Sequence, residues 1–154
     1  MNFLTRCAAY AAATREFLDV AYALDDDIID IAVGDEWTPR QVLHHMADSE
    51  MQSAIRLRRL IAEAPGTLIQ GYDESAWADH PALAYRSADW RPAVALVGAI
   101  RASSYEVLCR LDETYLGRAG VHSESGAYSL DQWLDIYTRH PHEHLAQIRS
   151  VLAN

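Results

Sequence analysis

Three of the chain's seven histidines lie in the segment YTRHPHEHLAQI, residues 137–148. If this segment is helical, His140 and His144 are four residues apart, so their imidazoles share one face and can bind one metal ion. His142 lies about 200° from His140 around such a helix and is expected to face solvent. A solvated pair or a hydrogen-bonded buried pair is the more common meaning of this spacing on its own.

A catalytic zinc-type site needs a third protein ligand and an open coordination position. His44 and His45, in the segment WTPRQVLHHMADSE, are the first candidates for that ligand. The helical period does not choose between them. Flanking apolar residues at positions 47, 51 and 55 favour burial of His44.

Four other residues are weaker candidates for chemistry. His80, in ADHPAL, is typical of a turn residue, and His122, in a glycine-flanked polar segment, could line a pocket. Cys7 and Cys109 have apolar neighbours and are expected to be small buried residues, with a disulfide or a nucleophile as the alternatives.

Length and composition limit the kinds of protein that this chain can be. A chain of 154 residues fits one domain, 1–154, and a net charge of −9 argues against a nucleic-acid partner. All 13 basic residues are arginine, which excludes a Schiff-base lysine and a Walker-A loop. The longest apolar run, residues 93–100, is too short to span a bilayer. The apolar N-terminal stretch keeps a helical stripe and contains acidic residues, so we expect a mature first helix in a cytoplasmic protein.

Hydrophobic periodicity predicts four helices in one all-α domain. Their expected ranges are 2–24, 38–64, 89–111 and 129 to the C-terminus. Thr38 with Gln41, and Ser129 with Gln132, have the spacing of capping boxes. About two dozen residues separate the second and third helices, enough for a long crossover that permits up-down-down-up order. The glycine-containing segment 117–128 could form a small hairpin before the last helix.

Pro141 lies inside the last predicted helix. The apolar positions on both sides of it keep one helical phase, so we expect a kinked but continuous helix. Proline leaves the carbonyl of Tyr137 without its usual amide partner, at a cost of ~3 kcal/mol in an ordinary helix. A compensating feature, such as a solvated cavity, is therefore expected near this turn.

The two histidine motifs, with GYDESAW between them, resemble the DinB-like superfamily, in particular its YfiT-like metal-dependent hydrolases. The resemblance covers about residues 25–148. It implies an up-down-down-up four-helix bundle in which three histidines hold one divalent metal ion, zinc or nickel. The matching positions are His45, His140 and His144, so the choice of His45 over His44 comes from the resemblance. It also implies a homodimer.

Related proteins often have extra histidines where this chain has Glu143 and Gln147, positions expected to face away from the site or to lie a turn later. Asp48 and Glu143 are within reach of the ligand imidazoles, although a solvated surface carboxylate is the simpler interpretation of each. Four residues could shape the mouth of the pocket, with core packing the alternative for the two tryptophans: Trp37, Tyr72, Asp73 and Trp77.

Three neutral imidazoles would leave a strongly Lewis-acidic ion with a free position. Such an ion could activate water against an ester or amide, or hold a low-molecular-weight thiol as thiolate and direct it at a small electrophile. Characterised relatives of the superfamily resemble the second case, as mycothiol-dependent isomerases and bacillithiol transferases. The sequence offers no clear general base, which favours thiol transfer over hydrolysis. A metal-binding bundle without turnover is the third alternative.

Overall fold

The computed structural model describes residues 2–153, and four long helices form its framework. They are α1 (Phe3–Ala23), α2 (Pro39–Ala62), α4 (Arg91–Leu108) and α5 (Leu130–Leu152), while a short α3 (Glu74–Asp79) lies in the long connection between α2 and α4. A 3-10 turn, Glu113–Gly117, follows α4. The four predicted helices are confirmed, and the largest difference is the end of α4, at position 108 instead of 111.

The helix starts follow from local side-chain chemistry. Asn2 caps α1 by accepting a hydrogen bond from a backbone amide in its first turn. Thr38 with Gln41, and Ser129 with Gln132, form the two predicted capping boxes at the starts of α2 and α5. Each box satisfies two backbone amides that a helix start otherwise leaves unpaired.

Contacts between α2 and α4 show that these two helices run parallel. Arg40, near the start of α2, donates to the carbonyl of Ala88, just before α4, at 2.8 Å. Further along both helices, Arg58 donates to the hydroxyl of Ser103 at 2.9 Å. The connection of residues 63–90 therefore crosses the length of the bundle, as predicted.

The remaining helix directions complete the topology. Arg6 donates to Asp135 and Arg149 to Glu16, so α1 and α5 are parallel to each other. Two contacts show that α2 and α5 run antiparallel: Ser53 with Trp133, and His45 with His140. The up-down-down-up four-helix bundle is confirmed.

Two apolar clusters fill the bundle, one at each end. The first includes Phe17, Val42, Met46, Val97 and Ile148. The second includes Phe3, Leu57, Leu108, Trp133 and Tyr137. Polar side chains occupy the helix positions where one cluster gives way to the other: Thr14, Glu50, Ser53, Arg101 and Ser104. The core is thus interrupted by a polar layer.

A three-stranded sheet closes one end of the bundle. The strands are β1 (Leu68–Ile69), β2 (Ala119–His122) and β3 (Gly126–Ser129), in the order β1-β2-β3. The β2–β3 hairpin confirms the prediction, whereas the parallel pairing of β1 with β2 adds a small sheet that the sequence did not indicate. Gly120 permits this pairing, because a Cβ there would lie 2.5 Å from the carbonyl oxygen of Thr67. Among the described helices, none combines the length and apolar character that crossing a bilayer requires.

Helix α5 continues through Pro141, as predicted, and the proline ring is buried. The carbonyl of Tyr137, which Pro141 cannot serve, accepts a hydrogen bond of 3.0 Å from the guanidinium of Arg101 on α4. The expected compensation therefore exists, but it is an arginine side chain, not the solvated cavity suggested as an example.

Candidate metal centre

Helix α2 directs His45 into the bundle. Its inward face packs Val42 and Met46 into the first apolar cluster, and His45 on that side is only 2% exposed. His44 lies one residue, about 100°, around the helix. Its ring stacks on Tyr85, and its Nε2 donates to the carbonyl of Ala88 at 3.4 Å.

The apolar positions that favoured burial of His44 gave a wrong prediction. Met51 is 36% exposed and Ile55 is 51% exposed, so they do not belong to an inward face of α2. The structure buries His45 instead, at the position that the family resemblance selected.

Helix α5 supplies the other two histidines. His140 and His144 are one helical turn apart and partly buried, beside the buried seam residues Pro141 and Leu145. His142 is exposed, as predicted, and lies 3.4 Å from the carboxylate of Glu16. Spacing on α5 therefore brings two imidazoles to one face and sends the third to the surface.

His45, His140 and His144 converge, and we call them the histidine trio. The Nε2 atom of His140 lies 3.4 Å from Nε2 of His45 and 3.0 Å from Nε2 of His144. One candidate ligand atom from each residue lies within 4.8 Å of the other two. Nitrogens bound to one tetrahedral ion at ~2.0–2.1 Å are about 3.4 Å apart, so the trio fits a metal of this size.

A hydrogen-bond chain fixes the tautomer of His144. Gln147 donates through its amide nitrogen to the carboxylate of Glu36 at 3.5 Å, so its carbonyl oxygen faces His144. Because that oxygen only accepts, the Nδ1 of His144, 3.0 Å away, carries the proton. The Nε2 of His144 consequently has a free lone pair directed at the other two rings. Gln147 was expected to lie outside the site, and its contact with His144 corrects that expectation.

Burial keeps the trio neutral. Desolvation, followed by the neighbouring imidazole of His144, lowers the pKa of His45 to about 4. Desolvation and the other two imidazoles lower the pKa of His140 to about 2, and desolvation also lowers the pKa of His144. Within residues 2–153, the buried Nδ1 atoms of His45 and His140 have no hydrogen-bond partner. Neutral imidazoles with convergent lone pairs are the form in which histidine binds a metal.

Aromatic rings border the trio on two sides. Trp37 lies against His45, with ring centroids 5.2 Å apart, and Tyr137 meets the edge of His140 at 6.1 Å. Trp37 thus has the place beside the site that the sequence suggested. These rings place aromatic surface beside two of the three imidazoles.

The two carboxylates considered as partners of the ligands have other partners. Asp48 accepts a hydrogen bond of 2.6 Å from the hydroxyl of Tyr85. Glu143 is exposed and pairs with Arg139 at 2.7 Å. Tyr85, in the crossover, was not singled out from the sequence, and no motif in its neighbourhood marks it.

The other crossover and loop candidates do not join the trio. His80 is an exposed turn residue whose Nδ1 accepts from a backbone amide, as expected. His122, in β2, packs beside Tyr128. Asp73 caps α3, while Trp77 packs on the ring of Tyr72 with centroids 4.7 Å apart.

The cysteines are distinct in their burial. Cys7 is buried in the second apolar cluster, as predicted. Cys109 is exposed at the end of α4, so the prediction that it is buried is wrong. The adjacent Leu108 is buried, whereas Cys109, the C-cap of α4, lies on the exposed side of the helix.

Comparison with known proteins identifies the family. The sequence profile of the DinB superfamily matches residues 9–148. The chain belongs to the DinB superfamily. The resemblance inferred from the histidine motifs is therefore confirmed.

Two proteins with similar sequences carry the name "Putative metal-dependent hydrolase". The protein from Oceanobacillus iheyensis is 36% identical over 115 residues, and YfiT from Bacillus subtilis is 34% identical over 117 residues. Each alignment covers 75% of this chain and 64% of the relative, so the chain spans somewhat less than two thirds of their length.

The solved structure of YfiT is described as having an unusual four-helix bundle topology. It superposes on this DinB-superfamily chain with a TM-score of 0.83 at 28% identity, covering 97% of this chain and 85% of YfiT. The fold and the histidine trio together therefore support a metal ion as the cofactor of this chain.

Proposed function

We propose that this DinB-superfamily protein is a metal-dependent enzyme that joins a low-molecular-weight thiol to a small electrophile. His45, His140 and His144 would hold one divalent ion, zinc or nickel. The observation that carries the proposal is the convergence of three neutral imidazoles whose neighbouring carboxylates are engaged elsewhere.

A divalent ion held by neutral ligands keeps its full positive charge and supplies Lewis acidity toward a thiol sulfur or a carbonyl oxygen. The protein's own part is to hold and orient the ligands. Gln147 fixes the ring of His144 through Nδ1, and Trp37 and Tyr137 border the site with aromatic surface. Exclusion of water by such surface strengthens electrostatic interactions within the site.

Thiol transfer fits these residues better than activation of water. The carboxylate of Asp48 already accepts from Tyr85, and Glu36 is separated from His144 by the amide of Gln147. A thiol loses its proton near pH 8.5, far more readily than water, so it has less need of a general base. In the transfer, a sulfur–carbon bond forms, the bond to the leaving group breaks, and the thiol proton departs with that group.

Hydrolysis is the second candidate, because two relatives of this chain carry the name "Putative metal-dependent hydrolase". It would use the same ligands and the same Lewis acidity. The difference lies in the nucleophile, which is a thiol in one reaction and water in the other.

The test compares two assays on protein purified without a tag or a nickel column. Elemental analysis first gives the metal content. The protein is then assayed with a small thiol plus an aryl halide electrophile, and separately with an activated ester and no thiol. We expect about one metal ion per chain and metal-dependent formation of the thioether.

Two variants control this test. His140→Gln should abolish thioether formation and His142→Gln should leave it intact, since the first residue belongs to the trio and the second faces solvent. Ester cleavage without thioether formation would favour the hydrolase. Metal binding with neither activity would indicate a non-catalytic metal-binding bundle.

A further inference from the structure

We propose that Arg101 is a positioning residue for the metal centre, acting on His140 through the backbone carbonyl of Tyr137. Arg101 takes the place of the amide that Pro141 lacks, and so ties the turn that carries His140 to helix α4. The inference rests on the histidine trio binding a metal, but not on which reaction the protein catalyses.

The guanidinium of Arg101 is held on every side. It is fully buried, and its Nη1 forms an ion pair with the equally buried carboxylate of Glu50. Its Nε donates to the hydroxyl of Thr14 at 2.7 Å, and its central carbon lies 4.0 Å from the ring centroid of Tyr10. A group restrained by three helices has a defined position, and the carbonyl that it binds is restrained with it.

The carbonyl of Tyr137 begins the helical turn that contains His140. In a regular helix this oxygen would accept from the amide of residue 141, but proline has none. Arg101 Nη2 reaches the oxygen at 3.0 Å from a different helix. The turn between Tyr137 and Pro141 is therefore oriented by α4, and the imidazole of His140 leaves the backbone within that turn.

Tyr137 strengthens this link at its other end. Its hydroxyl accepts a hydrogen bond of 2.9 Å from Arg56 on α2, and its ring meets the edge of the His140 ring. The residue is thus fixed by one arginine at its backbone and by another at its side chain. His140 lies against a restrained neighbour as well as on a restrained turn.

Two features that cost stability meet at this one oxygen atom. Proline in a helix interior removes a hydrogen bond, and burying an ion pair requires desolvating two charges. Apolar residues of similar volume could often fill the place of such a pair without loss of stability. The combination is explained if the arrangement serves the geometry of the ligand and not the fold alone.

The test is a double-mutant cycle in metal affinity. The ion pair is removed as a unit with Glu50→Met plus Arg101→Met, both in the wild-type chain and in Pro141→Ala. With Pro141 present, we expect metal affinity to fall ~10–100-fold, the range typical of residues that orient ligands. With alanine at 141, the new amide serves the Tyr137 carbonyl, and removal of the pair should change affinity by less than about 3-fold.

Arg40 provides a matched control. Like Arg101, it forms an ion pair with a carboxylate (Asp30) and donates to a backbone carbonyl (Ala88). Unlike Arg101, it makes these contacts away from α5. Arg40→Met should leave metal affinity unchanged even if it lowers stability. Arg101→Lys serves as a second variant, since an ammonium can keep a charge near Glu50 but lacks the several donors that guanidinium directs at its partners.

The visible spectrum of the cobalt-substituted protein reports the geometry of the metal ligands, which would not change if Arg101 served only the stability of the fold. We expect the visible ligand-field bands of the cobalt protein to shift when Arg101 is replaced beside Pro141, and to be unaffected by Arg40→Met. The proposal would be overturned if removal of the ion pair lowered metal affinity equally with proline and with alanine at position 141. It would also be overturned if folded Arg101 variants kept the wild-type metal affinity and the wild-type cobalt bands. Metal binding by a wild-type protein without catalysis would refute the proposed reaction and leave this inference open to the same test.

Discussion

Two buried polar groups lie close together in the bundle, and their chemistry is opposite. In the buried ion pair, Glu50 and Arg101, a cation faces an anion, and the remaining guanidinium donors have acceptors on α1 and α5. In the histidine trio, ring nitrogens of three neutral imidazoles face one another at 3.0–3.4 Å. The guanidinium of the first group has its partners within the protein, whereas the second group would be completed by an added cation.

The contrast teaches how one bundle can use buried polarity for two purposes. A matched pair adds directional contacts between helices, and removal of one partner alone lowers stability because the other is left as an unpaired buried charge. The trio leaves the buried Nδ1 atoms of His45 and His140 without partners, so its burial is useful when an external partner binds there. Burial serves the trio directly, because the lowered pKa values of His45 and His140 keep both imidazoles neutral.

The largest expected effect is on the ion pair. Glu50→Ala should lower the free energy of unfolding by about 3–5 kcal/mol, because it leaves the buried guanidinium of Arg101 without its counter-ion. Urea unfolding of the metal-free protein measures this effect. Replacing both residues by methionine should cost far less than the single change. A single and a double variant of equal stability would mean that the pair is not matched as described.

The second prediction concerns the trio, where the loss should appear in metal affinity. Alanine at position 45, 140 or 144 removes one of three ligands, and we expect metal affinity to fall by more than ~100-fold, beyond the range of orienting residues. Calorimetric titration with zinc measures it. His44→Ala and His142→Ala are the controls and should bind nearly as wild type, since one contacts Ala88 and the other faces solvent. If His44→Ala releases the metal, the ligand set is wrong.

The two groups also differ in how far the sequence predicts them. The spacing of His140 and His144 on a long periodic helix is a local property, and both were found from it. The third histidine was not, because α2 has apolar residues on its outer face as well as its inner one, including Met51 and Ile55. Only the family resemblance distinguished the two adjacent histidines.

The ion pair was invisible in the sequence for a different reason. Arg101 follows the apolar run 93–100 and has the appearance of a surface residue that ends it. Its burial depends on Glu50, 51 positions away, and on a carbonyl exposed by a proline on another helix. Periodicity within one helix predicts the faces of that helix, whereas a pairing across three helices requires their relative register. The parallel contact of β1 with β2 was missed for the same reason.

A third prediction uses pH to separate the two groups. Unfolded histidines bind protons near pH 6.5, whereas the folded metal-free protein has a pKa of about 4 at His45 and about 2 at His140. Protons then bind the unfolded chain preferentially, so stability is complete above about pH 6.5 and falls as pH decreases toward the folded values. Between about pH 7.5 and pH 5, each such imidazole should contribute a loss of about 2 kcal/mol.

Urea unfolding of chelator-treated protein across this range measures the slope. His140→Gln should flatten it, because one of the titrating groups is gone, whereas the exposed His142→Gln should match the wild type. A wild-type stability that does not change between about pH 7.5 and pH 5 would show that the imidazoles are not held neutral by burial.

The smallest expected effect is at Gln147, whose side chain hydrogen-bonds to His144 of the trio. Gln147→Ala removes the acceptor for the Nδ1–H of His144, but this ring is only partly buried, so water can take the place of the amide. We therefore expect zinc affinity to fall by ~10-fold, the lower end of the range for orienting groups. Gln147→Glu keeps an acceptor for His144. Its zinc affinity should stay within about 3-fold of wild type, because a carboxylate raises the basicity of the ligand and this gain offsets the repulsion between the new carboxylate and Glu36.

Glu143→Ala, which removes the exposed partner of Arg139, is the control and should bind zinc as wild type. If Gln147→Ala instead abolishes binding as completely as His140→Ala, the trio depends on an internal partner as strongly as Arg101 depends on Glu50, and the contrast between the two groups fails.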